Sequence, residues 1–219
     1  PNMRYLAYFQ SYSNTYAPIE NLKVLYEEAL SHPQVIGLVI ATRPDCLPLD
    51  VLDYLAELAR KVYVMVELGV ESCENETLVK INRGHTFEET ISAFANLSSR
   101  GIHNCAHLIL GLPGESKETM LNQARIISKL PIENLKLHQL QIHKGTKLAY
   151  QFKNSPENFS LFNAAEDYIE LIVQYLELLN PKIIVERFVS QSPADLLIAP
   201  KWGYKNFETS DNSRNLWFN

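Results

Sequence analysis

The segment "VELGVESCENETLVKINRGH", Val66 to His85, decides how the rest of the chain is interpreted. It starts inside an apolar run typical of a buried strand, and Gly69 in that run lets a ligand or another backbone approach closely. Glu71 follows directly, and Arg83 ends the short helical stretch behind it. Two interpretations are open. Glu71 and Arg83 form a salt bridge with each other, or they bind a ligand that carries both hydroxyl groups and a carboxylate.

Apolar runs and amphipathic runs alternate on both sides of this segment. The apolar runs predict strands at residues 4–13, 35–42, 62–70, 102–112, 134–143 and 183–189. Helical spacing predicts helices at residues 18–30, 47–61, 74–81, 85–101, 116–130 and 160–180. Thr86 and Glu89 form a capping-box pattern in the fourth of these helices. The alternation predicts an α/β fold of parallel βαβ units, as a doubly wound sheet or as an open or closed (β/α) barrel.

The composition limits the class of protein. The chain has 219 residues, 46% hydrophobic and 21% charged, which is typical of one large α/β domain or two small ones. A net charge of −5 argues against a broad nucleic-acid-binding surface. No apolar run approaches the roughly 20 residues that span a bilayer. Cys46, Cys73 and Cys105 lie far apart with no CxxC pair, which predicts structural thiols in a reducing cytoplasm.

Polar residues follow the first two predicted strands, where α/β folds place their functional groups. Gln10, Ser11 and Tyr12 begin a dense run of hydrogen-bonding side chains, which is either a polar loop or a binding loop. Arg43 follows the second strand, and an arginine in that position more often pairs with an acid than with a ligand.

The fourth and fifth predicted strands end differently. Gly111 and Gly114 lie in "GLPGES", a side-chain-poor loop before a helix, and this pattern indicates either a simple turn or an anion-binding loop. His138 and His143 are five residues apart in the next strand and therefore point to opposite faces, so they do not share a metal ion.

Six motifs follow one another along the chain: "FQSYSNTYAP", "TRPDC", "NRGH", "LILGLPGE", "LHQLQIHKGT" and "DLLIAP". In this order the sequence resembles the radical S-adenosylmethionine (SAM) enzymes. It resembles most the branch that holds oxygen-independent coproporphyrinogen oxidase and the Elongator catalytic subunit, and within it a bacterial subfamily of Fe-S oxidoreductases. The resemblance implies a partial (β/α) barrel of parallel strands over residues 1–190, missing its first strand. Residues 191–219 would form an irregular C-terminal extension packed on the barrel.

The resemblance also implies where SAM binds. Residues 10–12 take the place of the loop that holds the SAM amino group, although they lack its glycines. Glu71 and His107 lie where relatives contact the ribose, Arg83 lies where an arginine meets the methionyl carboxylate, and the two loop glycines flank the adenine. The cofactor-binding residues expected in this way are Gln10, Ser11, Tyr12, Arg43, Glu71, Arg83, His107, Gly111 and Gly114.

The CxxxCxxC loop that holds a [4Fe-4S] cluster in this family is absent from the sequence. We expect those cysteines upstream of residue 1 and no metal ligands within the chain, because cluster ligation needs closely spaced thiolates. The chain is then a C-terminal part of a longer enzyme. By itself it is expected to bind neither the cluster nor SAM and to be inactive, and no catalytic residue is assigned.

The activity implied for the full-length enzyme is reductive cleavage of SAM to a 5′-deoxyadenosyl radical, which abstracts a hydrogen atom from the substrate. Its electron donor would be a flavodoxin or ferredoxin, and its compartment the cytoplasm, with no membrane partner. Two alternatives stay open. One is a phosphate-ligand (β/α)-barrel enzyme that uses "GLPGES" as its anion loop. The other is a non-catalytic RNA- or partner-binding module that uses the Lys- and aromatic-rich "KWGYKNF", although the acidic net charge does not favour nucleic acid.

Overall fold

The computed structural model describes residues 3–160 and 162–202, and each strand and helix predicted above has a counterpart within them, although the first strand ends at Phe9 rather than at residue 13. The strands are β1 (Tyr5–Phe9), β2 (Val35–Thr42), β3 (Tyr63–Glu71), β4 (His103–Leu110), β5 (Asn134–Gln139), β6 (Ile142–His143), β7 (Ile184–Arg187) and β8 (Leu197–Ala199). The helices are α1 (Ile19–Leu30), α2 (Leu49–Ala59), α3 (Asn75–Lys80), α4 (Phe87–Ser99), α5 (Lys117–Ile127), α6 (Lys147–Asn154) and α7 (Ala165–Leu178).

The main sheet has six strands in the order β1-β2-β3-β4-β5-β7. Strands β1, β2 and β3 are parallel, with Ala7 beside Leu38 and Leu38 beside Val64. From β1 to β5 each strand lies next to the strand before it in the chain, and β7 lies next to β5. A doubly wound sheet reverses its strand order at a switch point, and this sheet has no such reversal. The order is the one that successive (β/α) units of a barrel produce.

Three elements differ from the sequence-based prediction. The fifth predicted strand is interrupted after Gln139, and its end, β6, pairs with β8 in a separate antiparallel sheet. Helix α6 was not predicted. Helix α7 begins at Ala165 rather than at residue 160, and the carbonyl of Phe162 instead accepts a hydrogen bond from the indole of Trp202 at 2.7 Å.

The chain divides into two compact units. The first comprises Pro1–Val70, His85–His107 and Leu130–Asn134, and the second comprises Glu71–Gly84, Leu108–Lys129 and Leu135–Asn219. The predicted boundary between a barrel at 1–190 and an extension at 191–219 stays a prediction. Most of that extension, residues 203–219, lies outside the described residues.

Tyr26 lies in the apolar core of the first unit. Its side chain is fully buried, edge-on to Phe9 with ring centroids 5.1 Å apart and stacked near Tyr54 at 6.4 Å. Its hydroxyl donates to the carbonyl of Asn14 at 2.5 Å, and burial raises its pKa well above the usual range. The contact fixes the loop behind β1 to helix α1.

Helix α4 of the first unit begins with the predicted capping box. The Thr86 hydroxyl accepts from the Glu89 backbone N–H at 3.3 Å, and the Glu89 carboxylate accepts from the Thr86 N–H at 2.7 Å. Both groups satisfy backbone donors that a helix start leaves open.

In the second unit, helices α5 and α7 pack against each other and bury Met120, Ala124, Tyr168 and Ile172. A smaller apolar cluster joins Leu112 of the "GLPGES" loop to Ile142 of β6. None of the helices in the described part of the chain combines the length and the apolar character needed to cross a membrane.

Candidate functional site

The loop behind β1 is held by its later residues. The side-chain amide of Asn14 donates to the carbonyls of Phe9 at 3.0 Å and Ala41 at 2.9 Å, which ties the loop to the ends of β1 and β2. Gln10, Ser11 and Tyr12 precede this anchor and are exposed, and Tyr12 has a positive φ of 64°. Their polar groups are therefore presented to solvent at a fixed position, and their predicted contact with the SAM amino group stays a prediction.

Arg43 forms a fork-like ion pair with Asp45. Its Nε donates to Asp45 Oδ1 at 2.9 Å, and one terminal nitrogen bonds the other carboxylate oxygen. The hydrogen-bonded guanidinium lowers the pKa of Asp45, and the carboxylate in turn raises the pKa of Arg43. The pairing with an acid is the more frequent alternative weighed from the sequence, and a ligand anion would have to displace or join Asp45.

Glu71 and Arg83 lie close together in the second unit. The Arg83 guanidinium is 2.9 Å from Glu71 Oε1, and both side chains are mostly buried. Glu71 ends β3 with a φ of 65°, and Arg83 is flanked by Asn82 and Gly84, whose φ values are 56° and 80°. Left-handed backbone at non-glycine residues is costly and concentrates at ligand sites. The salt bridge of the first interpretation therefore exists, with left-handed backbone at Glu71 and on both sides of Arg83.

A buried carboxyl group, Glu115, supports this region. It is 1% exposed and accepts hydrogen bonds from the Ser72 hydroxyl and, at 3.0 Å, from the Gln123 amide. Burial raises its pKa, while the hydrogen bonds from Ser72, Thr77 and Gln123 oppose that rise. Because Ser72 directly follows Glu71, this contact fixes the "GLPGES" loop to the end of β3.

The loop itself depends on Gly111. Its φ is 92°, and a Cβ there would lie 3.1 Å from the carbonyl oxygen of Ser160. Gly114 also has a positive φ, 89°, and Ser116 caps helix α5 by accepting from the Thr119 N–H at 3.1 Å. These features explain the turn. The predicted contact of the two glycines with adenine stays a prediction.

His107 of β4, in the first unit, joins a network that sequence reasoning missed. Its Nε2 lies 2.9 Å from Glu67 Oε2, and the Tyr8 hydroxyl donates to the same oxygen at 2.7 Å. Glu67 is 2% exposed although it carries a carboxylate in the middle of an apolar strand. That single acid inside "VYVMVELGV" was the available signal, because buried carboxylates are rare unless they are partnered.

The two histidines near β5 bond different serines of the second unit. His138 Nδ1 bonds the Ser190 hydroxyl, and His143 Nε2 lies 2.8 Å from the Ser192 hydroxyl. The Gln139 amide adds bonds to the Ser190 backbone at 2.7 and 3.0 Å. The segment behind β7 is thus held to the strand ends by side-chain hydrogen bonds.

Comparison with known sequences identifies the family. Residues 4–125 match the Radical SAM superfamily, and residues 132–215 match the Radical SAM C-terminal domain. The first match covers more than half of the 219 residues, and the chain belongs to the radical SAM superfamily.

Two curated relatives are similar over most of this chain. The protein YtqA of Bacillus subtilis is 38% identical over 205 residues, which cover 94% of this chain and 63% of YtqA. The protein YhcC of Escherichia coli is 36% identical over 200 residues, which cover 91% of this chain and 64% of YhcC. The chain thus spans a little under two thirds of the length of these relatives.

Solved structures agree on the fold. The archaeal Elp3 of Methanocaldococcus infernus, solved with an N-terminal deletion, superposes with a TM-score of 0.72 at 25% identity, over 91% of this chain and 45% of that chain. The coproporphyrinogen III oxidase HemN of Escherichia coli, a radical SAM enzyme, superposes at 0.61 and 20% identity, over 75% and 38%. The predicted partial (β/α) barrel of radical SAM type is confirmed, as is the resemblance to these two branches.

Proposed function

We propose that this chain is the SAM-binding part of a radical SAM oxidoreductase. The enzyme would cleave SAM reductively, with one electron from a flavodoxin or ferredoxin, and the 5′-deoxyadenosyl radical so formed would abstract a hydrogen atom from the substrate. Membership of the superfamily is the observation that carries this proposal. The proposed setting is the reducing cytoplasm, where three buried cysteines without disulfide bonds would persist.

The side chains of the described residues do not fit a [4Fe-4S] cluster. Such a cluster needs three thiolates close together. Cys46, Cys73 and Cys105 are each buried and unbridged, and among the described residues they do not form a group able to share one ion. The proposal therefore assigns no step of cluster chemistry to side chains of this chain.

Glu71 and Arg83 fit the polar ends of SAM. A guanidinium offers a planar pair of donors to a carboxylate, and a carboxylate accepts from the vicinal hydroxyls of a ribose. The two side chains lie 2.9 Å apart. Binding of SAM would give each a new partner while the pair stays assembled. Both residues would orient the cofactor, and neither would act as an acid or a base.

The phosphate-binding alternative is weakened by the charges around "GLPGES". A cavity of about 500 Å³ adjoins this loop in the second unit. Its charged lining residues are Glu74, Glu76, Glu115, Glu118, Lys80 and Arg125. Four carboxyl groups face two cations, so the lining does not attract a phosphate even beside a helix N-terminus.

The RNA-binding alternative rests on "KWGYKNF", most of which lies outside the described residues.

Arg83 gives the sharpest test of the proposal. In the enzyme expressed from its complete gene, Arg83→Ala should weaken SAM binding about 10- to 100-fold, because one charge-assisted hydrogen-bonded contact contributes about 1.5–3 kcal/mol. The SAM affinity of Arg83→Lys should lie between those of the wild type and Arg83→Ala, since lysine keeps the charge and loses the planar pair of donors. Equilibrium dialysis measures the affinity, and anaerobic formation of 5′-deoxyadenosine measures the activity.

Arg100→Ala is the matched control. Arg100 also forms an ion pair with a carboxylate, Asp53, at 3.1 Å, but it caps the C-terminal end of helix α4 in the first unit and its partner is exposed. Its removal should leave SAM affinity and 5′-deoxyadenosine formation unchanged. Equal SAM affinities for the wild type and Arg83→Ala would overturn the assignment of Arg83.

A further inference from the structure

Three side chains of the first unit bring different metal-binding atoms together. A carboxylate oxygen of Glu67, the Sγ of Cys105 and a ring nitrogen of His107 all lie within 4.8 Å of one another. Cys105 and His107 are two residues apart on β4, so their side chains point to the same face. Glu67 comes from β3, the neighbouring strand of the sheet. Two rigid strands therefore hold the group in place.

The geometry points to a Zn²⁺ site formed by Glu67, Cys105 and His107. Thiolate, imidazole and carboxylate are the three ligand types that zinc binds in proteins, and three protein ligands with an open fourth position form a common zinc geometry. Mg²⁺ and Ca²⁺ prefer oxygen ligands throughout and do not suit a thiolate. Zinc-bound sulfur and nitrogen lie at about 2.3 and 2.1 Å from the metal, so small side-chain rotations would complete the site.

Burial and charge support a divalent cation here. Cys105 is 0% and Glu67 2% exposed, while the His107 side chain is 20% exposed. One carboxylate and one thiolate together carry two negative charges, which a Zn²⁺ ion balances, and a buried site is least costly when its net charge is zero. The partly exposed imidazole marks the side from which an ion and a fourth ligand would enter.

Tyr8 provides an outer contact for the site. Its hydroxyl donates to Glu67 Oε2 at 2.7 Å, and hydrogen bonds of this kind orient ligating carboxylates. His107 faces Glu67 with Nε2 at 2.9 Å, so this nitrogen would bind the metal. The zinc site uses neither Glu71 nor Arg83, and it would take His107, which the resemblance places beside the SAM ribose, as a metal ligand instead.

X-ray absorption at the zinc edge tests the site directly, because it detects zinc separately from any iron in the protein. The purified protein is stripped with a chelator, loaded with one equivalent of Zn²⁺ and desalted. We expect one zinc per chain with a single sulfur neighbour at about 2.3 Å. Cys105→Ser should remove the sulfur signal and weaken zinc affinity at least about tenfold. Affinity should rise with pH, because the thiol must lose its proton.

Cys73→Ser is the matched control, since Cys73 is also a buried thiol, 7% exposed, and is not among the three ligands. It should keep both the stoichiometry and the sulfur neighbour. Circular dichroism checks that each variant is folded. A wild-type protein that retains no zinc, or whose zinc has no sulfur neighbour, overturns the proposal whatever the variants do. The same holds for a folded Cys105→Ser protein whose zinc spectrum and affinity match those of the wild type.

Discussion

Glu115 combines full burial with a carboxyl group, and its ionisation should affect stability. Burial raises its pKa above the usual 4.5, so the folded protein favours the neutral acid. The stabilisation that this preference provides is complete below the unfolded pKa and is lost as the pH rises through the raised folded pKa. Stability linked to Glu115 therefore falls with increasing pH.

Glu115→Gln should remove this pH dependence, because the amide keeps the shape of the side chain and does not ionise. As the pH rises from about 4.5 to neutrality, we expect the free energy of unfolding of the variant to increase relative to that of the wild type. Urea unfolding at a series of pH values measures the difference. Glu118→Gln, an exposed position in the same loop-to-helix segment, is the control. Parallel wild-type and Glu115→Gln curves would contradict the predicted linkage.

The paired residues of the site were partly predictable. The salt bridge between Glu71 and Arg83 was one of two interpretations of the sequence, and an acid partner for Arg43 was the more frequent outcome expected. Glu67 and Glu115 were not predicted as partners of anything. Their hydrogen bonds reach residues 40 and 43 positions away, and no local spacing indicates which distant strand or loop approaches a buried acid.

At the scale of single elements, the capping box of helix α4 allows a test of stability that does not involve the SAM contacts. Thr86→Ala removes the side-chain acceptor for the Glu89 N–H and should lower the free energy of unfolding by about 0.5–2 kcal/mol. Thermal or urea unfolding measures the loss. The SAM affinity of the enzyme should not change at temperatures where the variant is folded.

Ser92→Ala on the same helix separates the cap from a general effect of losing a hydroxyl. Ser92 is exposed in the middle of α4 and donates to the carbonyl of Glu88 at 2.9 Å. Alanine is the better helix former, so this change should be neutral or slightly stabilising. Equal losses in the free energy of unfolding from Thr86→Ala and Ser92→Ala would show that the capping box does not stabilise the helix.

Element prediction succeeded where a periodic pattern was long and capped, as in α4, and failed where the pattern was short. Helix α6 has only eight residues, none of them fully buried, so its apolar stripe is too brief to recognise. The interruption between β5 and β6 could not be predicted from the sequence either. Leu140 and Ile142 both join an apolar cluster, and the apolar pattern therefore continues through the break.

At the scale of the whole molecule, the strand order follows from the alternation in the sequence. Consecutive βαβ units place each strand beside its predecessor, as the main sheet does from β1 to β5. That the functional residues lie at the strand ends stays a prediction. The side chains that act together could not be identified in the same way, because loop conformations such as the left-handed residues at Glu71 and Asn82 have no simple sequence signal.

The distribution of cysteines predicts how the 219-residue chain behaves with iron and sulfide. Its three cysteines are buried, and they do not form a group able to share one ion among the described residues. Anaerobic reconstitution of a protein with this sequence should therefore give no [4Fe-4S] absorption. The coproporphyrinogen III oxidase of Escherichia coli, a radical SAM enzyme, serves as the positive control under identical conditions. Stoichiometric iron and sulfide together with a cluster spectrum would refute this prediction.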